Sequence, residues 1–228
     1  MLTIRSLGHA CYTVTDGQTT LILDPFLTGN PDAVCGPGDV QVDFVLPSHG
    51  HSDHLGDAIE IANRTGATII APYELAVYCA RQGAKIHPLH IGGGANFPFG
   101  RVKLTPAWHG GGIVTDEATE YAGPPCGFVV TMGGRNVYYA GDTGLFGDMK
   151  LIPQRTPLEV AILPIGDTFT MDMVDAATAA EFLQAKAVIP THWHAFDPIR
   201  CDPQDYAALI EPKGIRCVIL QPGEEAEF

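Results

Sequence analysis

Three histidines and an aspartate fall within six residues, His49-Gly50-His51-Ser52-Asp53-His54, directly after the apolar run Phe44–Leu46. Histidine makes up 9 of the 228 residues, and a His-x-His-x-Asp-His match arises by chance in roughly one chain per thousand of this composition. Four such side chains at this density have no role in packing a core. Neutral imidazoles and a carboxylate are instead suitable ligands for divalent transition metals. On an extended segment, residues two apart project to one side, so His49 and His51 can share one ion. Asp53 and His54, past a bend, can reach a second. The fold must therefore bring this strand end to a place where further ligands converge.

Three more ligand-type residues stand in equivalent positions. His109 follows the run Val102–Pro106, Asp142 follows Val137–Tyr139, and His192 follows Ala187–Ile189. Each lies just beyond the carboxyl end of an expected strand, where layered α/β folds gather their sites. Further strands are expected at Thr3–Leu7, Cys11–Thr15, Thr20–Leu23, Thr68–Ile70, Gly127–Thr131, Val160–Leu163 and Cys217–Leu220. Helices are expected at Asp57–Asn63, Tyr73–Gln82, Met173–Ala185 and Pro203–Ile210, the last with Asp202 as its cap and Pro203 in its first turn. Hairpins followed by strand–helix alternation, twice over, imply an α/β chain of two layered halves, sheet against sheet with helices outside. No low-complexity or charged linker divides them, so residues 1–228 read as a single domain. The long Gly- or Pro-rich loops Thr28–Gly38, His90–Gly100 and Gly110–Pro125 are candidates for functional segments.

Composition narrows the class. A hydrophobic content of 46 % supports a sizeable core, and a charged content of 17 % excludes a disordered chain. A formal charge of −13 counts against nucleic acid or an anionic membrane as partner and leaves a small molecule as the expected substrate. A homo-oligomer is compatible with the sequence. No apolar run reaches the roughly 18 residues of a membrane span, and no apolar signal segment precedes the first strand. The six cysteines are scattered, with no Cys-x-x-Cys pair, and read as reduced thiols of a cytoplasmic protein.

In order along the chain, Asp24 in Leu23-Asp24-Pro25, the cluster His49–His54, His109, Asp142 in Gly141-Asp142-Thr143-Gly144, and His192 resemble the five motifs of the metallo-β-lactamase superfamily. Leu7-Gly8-His9-Ala10, Asp24-Pro25-Phe26-Leu27, Pro164-Ile165-Gly166-Asp167 and Pro222-Gly223-Glu224 are similar, more narrowly, to a branch of metal-dependent hydrolases related to ascorbate-6-phosphate lactonase-like proteins. The resemblance implies a four-layered αβ/βα sandwich and a dinuclear centre. His49, His51 and His109 would hold one ion, Asp53, His54 and His192 the other, and Asp142 would bridge them. Asp24 would support a ligand histidine by accepting its hydrogen bond.

Two divalent ions, expected as Zn with Mn or Fe also compatible, would lower the pKa of a bridging water toward about 7. The hydroxide would attack a small ester, lactone, amide or phosphoester directly. No Gly-x-Ser-x-Gly nucleophile elbow is present to form a covalent intermediate. Asp53 could relay a proton, and His9 and His194 are candidates for substrate contact or proton transfer. His194 lies two residues from His192, and spacing alone does not separate the two as ligands. His90, Asp167 and Phe169 are weaker candidates for lining the pocket. Competing readings are an iron-dependent redox enzyme on the same fold, a nucleic-acid-processing enzyme, which the acidic charge opposes, and a non-catalytic metal-binding protein.

Overall fold

The computed structural model describes residues 1–228. The first half contains β1 (Thr3–Gly8), β2 (Cys11–Thr15), β3 (Thr20–Leu23), β4 (Phe44–Leu46), α1 (Ser52–Leu55), α2 (Ala58–Thr65), β5 (Thr68–Pro72), α3 (Tyr73–Arg81) and β6 (Lys85–Leu89). The second contains β7 (Gly94–Phe97), β8 (Gly100–Pro106), the small hairpin β9 (Ile113–Val114) and β10 (Thr119–Glu120), β11 (Cys126–Met132), β12 (Arg135–Tyr139), α4 (Ile152–Arg155), β13 (Val160–Pro164), α5 (Met173–Leu183), β14 (Ala187–Thr191), α6 (Pro203–Ile210) and β15 (Arg216–Cys217). The last strand, β16 (Glu225–Glu227), returns to the first half.

Two seven-stranded sheets result, ordered β16-β1-β2-β3-β4-β5-β6 and β15-β14-β13-β12-β11-β8-β7. In each, antiparallel hairpins lead into parallel strands joined by helical crossovers. Period-two alternation sorts the side chains. Leu21, Leu23, Leu46 and Ile70 face the second sheet and pack with Leu104, Phe128, Val130, Tyr139 and Ile162. Their neighbours Ile22, Val45 and Ile69 face outward onto Ile61 of α2 and Leu75 of α3. Tyr138, Ala161 and Val188 likewise face Ala176, Ala180 and Leu183 of α5 and Ile210 of α6. The layers are therefore helix, sheet, sheet, helix, as the sequence pattern and the family resemblance imply.

Differences from the sequence-based expectations lie at weak signals. The expected loop His90–Gly100 contains β7, which pairs with β8. β15 is two residues long and ends well short of Leu220, although Val218 N still donates to Val188 O at 2.8 Å. Asp57 precedes α2, but its carboxylate accepts from Leu27 N (2.9 Å) and Thr28 N (2.8 Å) and anchors that loop. Asp202 and Pro203 do open α6, with the Asp202 side chain accepting from Gln204 N. No helix is long and apolar enough to cross a membrane.

The topology decides where the chemistry sits. The antiparallel and parallel pairings give β1, β3 and β4 one direction in the first sheet, and β8, β12, β13 and β14 one direction in the second. Residues that follow those strands are His9, Asp24, His49, His109, Asp142, Asp167 and His192.

Candidate metal centre

Asp24 is the support on which the centre is built. It is fully buried beyond β3, with a left-handed backbone (φ +40°) that turns its carboxylate inward. Oδ1 accepts from Ser48 N at 2.6 Å. Oδ2 accepts from Ser48 Oγ (2.6 Å), from Tyr139 OH of the opposite sheet (2.6 Å) and from His54 Nδ1 (2.7 Å). Ser48 has one hydroxyl proton and gives it to Asp24, so its oxygen accepts from His49 Nδ1 at 2.9 Å. Nδ1 is thereby the hydrogen-bonded ring nitrogen of both His49 and His54, which leaves Nε2 of each turned to the cleft.

That cleft is shared by two groups of ligand-type atoms. His49, His51 and His109 form one, with all three nitrogens within 4.8 Å of one another. His51 Nδ1 lies 3.0 Å from His49 Nε2 and 3.3 Å from His109 Nε2. Asp53, His54 and His192, joined by His9, form the other. Asp53 Oδ2 is 3.3 Å from His9 Nε2, 3.6 Å from His54 Nε2 and 3.7 Å from His192 Nε2. Asp142 stands between the groups. Its Oδ2 is 3.2 Å from His54 Nε2, 3.3 Å from His192 Nε2 and 3.6 Å from His109 Nε2.

The fit to metal ions rests on buried atoms without partners. His54 Nε2 and both ring nitrogens of His192 are buried and make no hydrogen bond. His54 Nε2 and His192 Nε2 nevertheless lie within 3.3 Å of Asp142. Close approach without hydrogen-bond alignment is the arrangement expected of donors aimed at a common point. An unpartnered buried polar atom otherwise costs about 1–3 kcal/mol.

Residues 19–193 match the family model described as the beta-lactamase superfamily domain. The chain belongs to the metallo-β-lactamase superfamily. It is 48 % identical over 227 residues to a UPF0173 metal-dependent hydrolase of Pelotomaculum thermopropionicum, covering 99 % of both chains. Among solved structures it is similar to Igni18, a metallo hydrolase of Ignicoccus hospitalis, at 33 % identity and a TM-score of 0.90 over 100 % of this chain and 99 % of the other. CmlA, a diiron beta-hydroxylase from Streptomyces venezuelae, is 15 % identical with a TM-score of 0.80 over 100 % of this chain and 54 % of the other, and shows the fold alone.

Within this metallo-β-lactamase fold, the two ligand groups differ in charge. Burial pushes His49 well below the usual histidine range, and it also lowers His51 and His109. Burial acts in the same direction on His192, but Asp142 and Asp53 overcome it and raise its pKa to about 9. His54 is also raised, because Asp142 and Asp24 outweigh its burial. Burial opposes ionisation of Asp142, yet His54 and His192 hold it well below the carboxylate range. Burial opposes ionisation of Asp53 likewise, yet the nearby His192 and the hydrogen bond to His9 lower its pKa. His9 is pulled down to about 4, chiefly by burial.

The other expected site residues fall in different places. His9 lies beside the second group, buried, its ring centroid 4.2 Å from that of His192. His194 does not join it. The chain turns at His192 (φ +58°), and His194 Nδ1 meets Asp32 Oδ2 at 2.5 Å, in a separate depression with Arg200 and Gln221. The expectation of His194 as a substrate contact or proton donor is corrected by that turn, which takes it out of the cleft lining. His90 stacks on Tyr73, ring centroids 5.6 Å apart, and does not line the cleft. Phe169 does line it, while Asp167 points into solvent. Ser48, Tyr139, Asp32 and Phe196 were not singled out in the sequence. Only Ser48 carried a local signal, as the hydroxyl residue directly before His49.

Proposed function

We propose that the protein is a dinuclear metal-dependent hydrolase of small ester, lactone, amide or phosphoester substrates. The carrying observation is Asp142 Oδ2, placed within 3.6 Å of imidazole nitrogens from both ligand groups. His49, His51 and His109 would hold one ion, and Asp53, His54 and His192 the second, with Asp142 shared. Bound there, two divalent ions, of which zinc suits the His/Asp donors, supply Lewis acidity and lower the pKa of a coordinated water into the neutral range.

The chain's own residues then divide the remaining work. Asp24 fixes the tautomers of His49 and His54, so that neither ring must reorient during turnover. His9 Nε2 donates to Asp53 Oδ2 and orients that carboxylate. Oδ1 of Asp53 is left to accept the proton that the attacking water loses. In ester hydrolysis the water oxygen bonds to the carbonyl carbon, the C–O bond to the leaving group breaks, and Asp53 returns the proton to the departing alkoxide. The curated relative in P. thermopropionicum carries the name metal-dependent hydrolase, which supports the same reading.

The test is metal analysis of purified protein together with turnover of ester, lactone and phosphodiester panels after loading with Zn, Mn or Fe. Two ions per chain and metal-dependent hydrolysis are expected. Loading with iron accompanied by oxygen consumption, and no hydrolysis, would replace this reading by a redox one.

A further inference from the structure

The cleft above the ligand groups has a volume of about 320 Å³. Apart from ligand-type His and Asp side chains, its lining consists of Phe169 and Phe196 alone. Both rings are unusually open for phenylalanine, at 56 % and 36 % exposure. Large exposed apolar side chains beside a cleft mark a binding surface more often than an isolated surface residue does.

The rings are held in place. Phe169 sits at the apex of a tight loop in which Asp167 (φ +57°) and Thr168 (φ +50°) are both left-handed. That loop closes on itself through Asp167 N to Met171 O at 3.0 Å, and Met171 N donates to Thr143 O, next to Asp142, at 3.1 Å. Thr168 Oγ1 donates to Pro198 O at 2.9 Å, tying this loop to the one that carries Phe196. Gly166 completes the tie, since a Cβ there would collide with His192 O and Ile199. Phe196 leans on His9, centroids 5.4 Å apart, and on Phe26 at 6.3 Å. Strained backbone of this kind persists where the surroundings over-determine it, and it clusters at ligand-binding positions.

Charge is distributed to match. None of the thirteen Lys and Arg residues lines the cleft. Lys150 sits over the Phe182 ring at 4.1 Å, away from the cleft. Arg200 pairs with Asp197 at 3.5 Å and opens onto the separate depression beside His194. The two phenylalanine loops also carry the exposed acids Asp167 and Asp197. An anionic group beyond the reacting atoms would meet no cation there and would be repelled by the surrounding acidic field.

We infer that the substrate is a carboxylic ester or lactone that is uncharged beyond its reacting group and presents an aromatic or branched apolar substituent to Phe169 and Phe196. The inference rests on the hydrolase reading and narrows it. Phe169 and Phe196 are specificity-determining residues, and His9 supports Phe196 as well as Asp53.

The experiment compares two methyl esters with the same scissile bond, methyl 3-phenylpropanoate and the monomethyl adipate anion, by titrating acid release from the zinc-loaded protein. The phenyl ester should have a kcat/KM at least roughly tenfold higher, the scale on which an apolar pocket discriminates. Phe169→Ala and Phe196→Ala should each raise KM for the phenyl ester, with kcat and metal content nearly unchanged. The adipate ester's kcat/KM should fall by a smaller factor than the phenyl ester's in the same variants. In parallel, calorimetry should detect binding of uncharged 3-phenylpropan-1-ol to the loaded protein and its loss in the double variant. Equal or better turnover of the adipate ester, or unchanged KM in both variants, would overturn the inference. Binding of the alcohol without turnover of either ester would support the apolar pocket and sink the ester-hydrolase reading. Failure to bind the alcohol while both esters turn over would do the reverse.

Discussion

His49, His51 and His109 meet as neutral imidazoles because burial has already lowered each of them. His54 and His192 are the opposite case, raised by Asp142 and by Asp24 or Asp53 despite being buried. In the metal-free protein the first group thus offers lone pairs, whereas the second stores protons among carboxylates. Neutral histidines bind a cation without further change, but protonated ones must first release a proton. On the proposed assignment, the two groups would load by different chemistry, with Asp142 as the side chain they share.

The largest disturbance to that arrangement should come from Asp142→Ala. Removing this carboxylate strips the charge partner from His54 and His192 and, on the proposed assignment, would take a ligand from both sites. Metal content measured by elemental analysis should fall at both sites, with turnover following it. His90→Ala, whose ring only stacks on Tyr73, should retain both. Full occupancy in Asp142→Ala would show that the two groups load independently.

His192→Ala should separate the groups. Affinity for the second ion should fall by at least about 10- to 100-fold, taking the loss for a supporting residue as a floor. The ion at His49, His51 and His109 should stay, and isothermal titration would show one tight event in place of two. Asp24→Asn should come next, with a loss of about 10- to 100-fold in affinity, because it weakens the hydrogen bonds that set His49 and His54 without touching the cleft.

A pH series sharpens the contrast further. The folded pKa of His192 is about 9, above the unfolded value of 6.5. Its stabilising contribution to the metal-free protein is therefore complete below pH 6.5 and is lost as pH rises through about 9. Metal uptake should run the other way. Affinity of the second site should strengthen between pH 7 and 9, by up to about tenfold per unit for each proton released, while the first site changes little. Calorimetry in buffers of different ionisation enthalpy would count those protons. The smallest effect is expected from His194→Ala, which removes the tie to Asp32 but no atom facing the cleft. Loss of a whole metal equivalent in that variant would mean that the turn at His192 depends on this tie.

Much of this was legible in the chain. Strands that are β-branched and followed by His or Asp announced both the sheets and the side chains that meet in the cleft, because a buried strand and a ligand-type cluster each demand a narrow set of residues. β16 was not legible, since Glu225-Ala226-Glu227 is charged and pairs only because β1 offers an edge. β7 was hidden for a similar reason, as Gly94-Ala95-Asn96-Phe97 has no apolar alternation. His194 could not be told from His192 by spacing. The left-handed turn at His192 separates them, and the partner of His194 is Asp32, 162 positions away in sequence. Tyr139 was equally silent, because nothing local indicates that a strand tyrosine will reach across to the other sheet's aspartate.

The return of β16 to the first sheet bears on how the protein is made. Leu2 and Phe228 exchange backbone hydrogen bonds at 3.0 and 2.8 Å, so the pairing that covers β1 uses residues translated after every other strand of both sheets. During synthesis β1 can form its hairpin with β2, but its other edge stays bare until Glu225–Glu227 leaves the ribosome. A bare strand edge is a template for pairing between nascent chains. The charge at Arg5, on that edge, opposes such association. Removing the last four residues should leave the cleft's own side chains in place, while making the yield of soluble protein depend on temperature and on chaperone supply.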